Sequence, residues 1–192
     1  MKLIFATHNH NKAKEIQSLV PSGIQLLTLD DIECFDEIPE TSSTLEGNAN
    51  QKMQFIIDHY NVNCFADDTG LEIEALNGEP GVYSARYAGE MKDPNLNMDL
   101  VLSKLNGIEN RSARFRTVIA LYLNGKKYQF EGIVNGRITL SKSGKDGFGY
   151  DPIFEPEDTG KTFSDMNLQE KNLVSHRARA FAKMIEFLNQ QQ

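Results

Sequence analysis

Asp67 and Asp68 sit side by side at the end of the apolar run Phe65-Ala66 and are followed at once by Thr69 and Gly70. Side chains alternate across a strand, so the two carboxylates are expected on opposite faces, with only one looking toward a given site. A carboxylate held at a strand end suits a metal ligand or a general base, and the glycine lets the backbone turn away. Asp, Thr and Gly are also ordinary turn formers, so a plain bend between two strands is the competing reading of the same residues.

Other groups with chemical potential are spread along the chain. Thr7-His8-Asn9-His10-Asn11-Lys12 joins a short apolar run to a helical pattern, which would offer free backbone N–H groups and a positive dipole end to a phosphate. It reads equally well as a capping segment, with Asn11 as N-cap and the lysines in solvent. Glu37 and Glu40 flank Pro39 in an acidic, irregular stretch. Phe148 lies between Gly147 and Gly149, with Tyr150 and Asp151 next, and a flat base could stack on its ring. An aromatic pinning a loop to the core is the alternative. That segment matches neither a dinucleotide fingerprint nor a phosphate-loop signature. His176 and Arg177 follow Ser175 at the start of the last helical pattern, an unfavourable place for cations that calls for a ligand or an acidic neighbour.

The elements that must position these groups follow from periodicity. Lys2 to Ala6 reads as a buried strand, and Ile16, Leu19 and Val20 recur at helical spacing before Pro21 and Gly23. Ile24 to Leu29 is a second strand. Ala49, Met53, Ile56, Ile57 and Tyr60 form one apolar helical stripe capped by Thr44 or Ser43, and Lys52 lies off it. Two strands are expected to meet at Asp68-Thr69-Gly70, the second running from Leu71 to Leu76. The stretch from Gly78 to Gly89 is a packed functional loop. Asp93-Pro94 opens a helix that Gly107 stops. Ser112 to Leu123, the Asn124-Gly125 turn and Lys127 to Val134 form a hairpin. Ser175 caps a final helix through Ala178, Phe181, Ala182, Ile185 and Leu188.

Composition narrows the function classes. The 192 residues suit one domain able to bury roughly 70% of its unfolded surface. A net charge of −7 opposes a general nucleic-acid surface while leaving room for a local pocket binding one small polyanion. Cys34 and Cys64 have neither zinc-site nor disulfide spacing. The first residues turn polar too soon for a signal peptide and no apolar run reaches membrane-spanning length, so a cytoplasmic protein without nucleic-acid or membrane partners is expected.

Taken together and in order, these segments resemble the inosine triphosphate pyrophosphatase family, the non-canonical purine nucleoside triphosphate pyrophosphatases. The carriers are Thr7 to Lys12, Glu40 with Asn48-Ala49-Asn50-Gln51-Lys52, Ala66 to Gly70, Pro80 to Tyr87, Phe148-Gly149-Tyr150-Asp151-Pro152, and Glu170-Lys171 with Ser175-His176-Arg177. Any one motif is weak; the set covers essentially the whole length. The resemblance implies an α/β fold, an elongated mixed β-sheet flanked by helices with two lobes and a central active-site cleft, in a single domain over 1–192. It implies Mg²⁺-dependent hydrolysis of ITP, dITP and XTP to the monophosphate and pyrophosphate by a homodimer. Asp68 would be the catalytic carboxylate and would share the metal with Glu40. Thr7, His8, Asn9, His10, Asn11, Lys12, Lys52 and Thr69 would meet the triphosphate. Phe148, Gly149, Tyr150, Asp151, Lys171, His176 and Arg177 would form the base pocket. His8 departs from the glycine usual there. The alternative from another class is a catalytically inactive nucleotide-binding sensor.

Overall fold

The computed structural model describes residues 1–191 and shows a mixed α/β fold. Strands β1 (Lys2–Phe5), β2 (Gln25–Leu27), β3 (Cys64–Ile73), β4 (Pro80–Gly81), β5 (Ser112–Leu123), β6 (Lys126–Ile138) and β7 (Phe154–Pro156) form one sheet in the order β2-β1-β3-β5-β6-β7, with β4 beside β3. β1 pairs parallel with both β2 and β3, whereas β4 on β3 and β7 on β6 are antiparallel. Parallel neighbours need crossover helices. α1 (His10–Gln17) joins β1 to β2, and α2 (Leu45–Tyr60) precedes β3. α3 (Pro94–Lys104), α4 (Leu168–Val174) and α5 (His176–Asn189) complete the helices longer than one turn.

The chain divides into two compact units: Met1–Asp68 with Thr117–Gly132 and Arg177–Gln192, and Thr69–Arg116 with Ile133–His176. Each has its own core. In the first, Leu3, Phe5 and Phe65 of the sheet meet Ile16 of α1 and Phe181 and Met184 of α5. Phe5 stacks on Phe65 with ring centroids 4.5 Å apart. In the second, Leu71 and Ile73 pack with Met98 and Val101 of α3 and with Phe115, Phe154 and Phe163.

Four local expectations are corrected. β3 is continuous through Asp68-Thr69-Gly70, with no bend there. Gly70 is needed for a different reason: a Cβ at this position would stand 2.7 Å from the carbonyl oxygen of Gly81, so the residue's bareness lets β4 pair closely. The N-cap of α1 is Asn9, whose side chain accepts from the N–H groups of Asn11 and Lys12; Leu19 and Val20 lie beyond the helix and pack on the first core from the loop. The hairpin strand β6 runs four residues past Val134, to Ile138. α4 was unforeseen, since only Leu168, Leu173 and Val174 among its seven residues are apolar.

Candidate active site

β3 delivers Asp67 and Asp68 to different partners within the first unit. Asp67, 1% exposed, accepts from Lys12 Nζ at 3.0 Å on one oxygen and from Arg177 Nε at 3.2 Å on the other. Arg177 also pairs through Nη1 with the buried Glu15. Asp68 accepts from Asn48 Nδ2 at 3.0 Å through Oδ2, while its Oδ1 stands 3.6 Å from Lys52 Nζ. Lys52 Nζ in turn bonds Glu40. One ammonium therefore faces both carboxylates that the family resemblance implies as metal ligands.

Local sequence explains the placement. The Asn9 cap aims the first turn of α1 so that Lys12 reaches β3. α2, capped by Thr44, presents Asn48 and Lys52 four residues apart and hence on one face, which is why Lys52 fell off the apolar stripe and is nevertheless buried. Arg177 lies in the first turn of α5, where a cation is unfavourable beside the helix dipole; the carboxylates of Glu15 and Asp67 compensate it.

The electrostatics separate the two aspartates. Burial pushes the Asp67 carboxyl up, but Lys12, Arg177 and Lys52 outweigh it and hold this group far below the usual carboxylate range. For Asp68 burial prevails: its carboxyl is raised, with Glu40 adding to the rise, while Lys52, Lys12 and the Asn48 hydrogen bond offset only part of it. Burial acts against Glu40 ionising, yet Lys52 holds its carboxyl below the ordinary value. Lys52 is raised despite its own burial because Asp68 and Glu40 favour the charged form. Lys12 is lowered, first by burial and further by Lys52 and Arg177, against the pull of Asp67. A carboxyl displaced upward beside one displaced downward is the pattern that separates a proton acceptor from a fixed counter-ion.

The second unit assembles a different set. Asp151, 3% exposed, accepts from the Phe148 N–H at 2.7 Å and from Lys171 Nζ at 2.6 Å. The Lys171 ammonium stands 4.8 Å from the centroid of the Phe148 ring and 5.3 Å from that of Phe163. Tyr150 donates its hydroxyl to the Ser84 carbonyl at 2.8 Å, and His176 stacks on Phe115 with centroids 4.5 Å apart. Gly147, at φ +80°, leaves the space that the Asp151 carboxyl fills; a Cβ would lie 2.9 Å from its carbon. The half-buried Phe148 ring thus sits on a frame of Asp151 and Lys171, next to Gly149 at φ +62°.

The expected site residues are therefore distributed as follows. Lys12, Lys52, Glu40 and Asp68 gather in the first unit, and Phe148, Tyr150, Asp151, Lys171 and His176 in the second. Arg177 belongs with the first group through its two carboxylates. Thr7 Oγ1 accepts the Asn9 N–H at 3.2 Å, and Thr69 is half-buried in β3. His8, exposed, bonds the Asp36 carbonyl through Nε2 at 2.9 Å, tying this loop to the acidic segment that leads to Glu40. His10 lies 3.7 Å from Asp30, and Asn11 is exposed with its N–H on Asn9. Sequence reasoning missed Glu15 and the role of Asn48. Helical spacing held the signal, since Glu15 follows Lys12 by three residues and Asn48 precedes Lys52 by four.

Among the described residues no group of three or more His, Cys, Asp or Glu side chains forms a ready-made metal cage. Glu40 and Asp68 fit a different kind of site. They are hard oxygen donors already sharing one cation, Lys52, and Mg²⁺ is commonly held by one or two carboxylates with the remainder from substrate and water.

Comparison with known proteins identifies the family of the chain. The Ham1 family profile matches residues 3–187. A dITP/XTP pyrophosphatase of Flavobacterium johnsoniae is 54% identical over 98% of both chains, and one of Bacillus subtilis is 45% identical over 96% of both. The structure of the Staphylococcus aureus Ham1 protein superposes with a TM-score of 0.90 at 35% identity, covering 100% of each chain. With the profile spanning nearly the whole sequence and relatives this similar along their full length, the chain belongs to the Ham1 family.

Proposed function

We propose that this chain hydrolyses the triphosphates of deaminated purines, dITP, ITP and XTP, to the nucleoside monophosphate and pyrophosphate, acting as one catalytic domain over 1–192. The observation that carries this reading is the upward-shifted Asp68 held beside Lys52 and Glu40, in a chain 54% identical to a dITP/XTP pyrophosphatase. No membrane-spanning helix is present among the described residues. The same reading carries a cytoplasmic homodimer, and light scattering of the purified protein tests the dimer.

In the reaction, a water oxygen bonds to the α-phosphorus while the bond from that phosphorus to the bridging oxygen breaks, and pyrophosphate departs with the electron pair. Asp68 accepts the proton of the attacking water, a task its raised affinity for protons suits. Lys12 and Lys52 meet the triphosphate, with the Thr7 to Asn11 loop and Thr69 supplying further hydrogen-bond donors around it. Glu40 and Asp68 would hold Mg²⁺, which when bound supplies charge neutralisation at the phosphates.

Selectivity arises in the second unit. Phe148 stacks on the purine, and Gly149, Tyr150 and His176 shape its surroundings. The deaminated base carries an acceptor oxygen where adenine carries a donor amine, and Lys171 offers donors only. Adenine would leave polar groups unpaired, a mismatch worth orders of magnitude in discrimination. Asp151 holds Lys171 and Phe148 in place, and Arg177 fixes Asp67.

The test is a substrate panel with Mg²⁺ and direct identification of products. Fast pyrophosphate release from dITP, ITP and XTP, with far slower release from ATP and GTP, is expected. Equal turnover of ATP, or orthophosphate as the first product, contradicts the reading. Tight ITP binding without turnover in any divalent metal would instead make the chain a nucleotide sensor.

A further inference from the structure

We infer that Asn48 is a positioning residue for the reaction: its side-chain amide fixes Asp68 and, through Ser42, registers the segment that carries Glu40. This role rests on the reading of Asp68 as proton acceptor. Asn48 is 1% exposed and uses both ends of its amide. Nδ2 donates to Asp68 Oδ2 at 3.0 Å, and Oδ1 accepts the Ser42 N–H at 2.9 Å. A backbone N–H can only donate and an ionised carboxylate can only accept, so the amide has a single satisfied orientation.

Two consequences follow from that orientation. One oxygen of Asp68 is committed to Asn48, which leaves Oδ1 as the oxygen facing Lys52. The 40–42 segment is laid against one face of α2 by consecutive contacts. Glu40 meets Lys52; the Thr41 N–H donates to Gln51 Oε1 at 3.0 Å and Thr41 Oγ1 accepts from Gln51 Nε2 at 2.9 Å. The Ser42 N–H reaches Asn48, with Gln51 Oε1 also 3.3 Å away. Asn48 and Lys52 of this face both reach the Glu40 segment and β3, but Lys52 stands 3.6 Å from Asp68 whereas Asn48 hydrogen-bonds at both ends, so Asn48 sets the two carboxylates relative to each other.

Asn48→Asp keeps the shape and the acceptor for Ser42 but places a carboxylate against Asp68. Asn48→Ala removes both contacts. Asn50→Ala, on the exposed side of the same helix, is the control. With ITP and Mg²⁺, both Asn48 variants are expected to lose about tenfold or more in kcat, the scale on which small misplacements act, with little change in KM and an unaltered circular dichroism spectrum. The control should match the wild type. In a crystal structure of Asn48→Ala the Asp68 carboxylate should leave its wild-type rotamer. A folded Asn48 variant retaining most of the wild-type kcat, or an unmoved Asp68 in that crystal structure, overturns the proposal. Should the wild type itself fail to hydrolyse ITP, the catalytic reading falls separately, and the position of Asp68 in the crystal alone decides whether Asn48 orients it.

Discussion

Asp67 and Asp68 are neighbours in sequence and opposites in chemistry: the first is clamped between Lys12 and Arg177 and held far below the ordinary carboxylate range, the second is raised by burial. Strand alternation produces the difference, because it sends consecutive side chains to different partners. One carboxylate is the counter-ion of the buried Lys12 and Arg177, and the other has its proton affinity raised by burial.

Asp67 is therefore expected to matter most for stability. Asp67→Asn leaves the buried Arg177 and Lys12 short of a counter-charge and should cost about 3–5 kcal/mol at neutral pH. The native carboxyl is depressed, so its contribution is fully present above the unfolded value of about 3.9 and is lost as pH falls toward the native value. Urea unfolding of wild type and variant at a series of pH values should give a constant gap near neutrality that shrinks below about pH 4. A gap that widens on acidification contradicts this assignment.

The Phe148 ring is expected to act on binding rather than on chemistry. Phe148→Ala removes the stacking face but leaves the Asp151–Lys171 pair, which bonds through the Phe148 backbone N–H. Loss of about 1–3 kcal/mol of stacking corresponds to a rise in KM for ITP of roughly 5- to 150-fold with kcat less affected. Steady-state kinetics across ITP concentrations check it. An unchanged KM would mean the ring only pins its loop.

Gly70 tests the fold where the sequence was misread. Gly70→Ala sets a methyl 2.7 Å from the Gly81 carbonyl, which β4 cannot tolerate without shifting. A loss of about 1–3 kcal/mol is expected from such overpacking. Chemical denaturation measures it directly, and a neutral substitution would show that β4 is free to move.

Much of this architecture was legible because local pattern and tertiary need agreed. The apolar stripe of α2, the Asp93-Pro94 start of α3 and the Asn124-Gly125 turn all read directly from spacing and turn chemistry. Asp68-Thr69-Gly70 did not, because these turn-forming residues lie inside a long strand whose neighbours in the sheet are β5 and, from Leu71 on, β4, a long-range effect absent from local propensity. α4 was hidden for a related reason: its start is an Asn167–Glu170 capping box rather than an apolar stripe, and Leu173 is exposed. The site showed the same division. Asp68 stood out by type and Lys52 through the family resemblance, whereas Asn48 and Glu15 looked like ordinary helix polar residues until their partners on β3 and α5 were in place.

The most direct measurement of the central claim is pyrophosphate release from dITP by the wild type and by Asp68→Asn under identical Mg²⁺, with the fold of each verified. The substitution keeps the shape of residue 68 and removes its capacity to accept a proton. A fall in kcat of about 10²- to 10⁴-fold is expected for the loss of a general base. An Asp68→Asn enzyme that releases pyrophosphate at the wild-type rate would contradict the account.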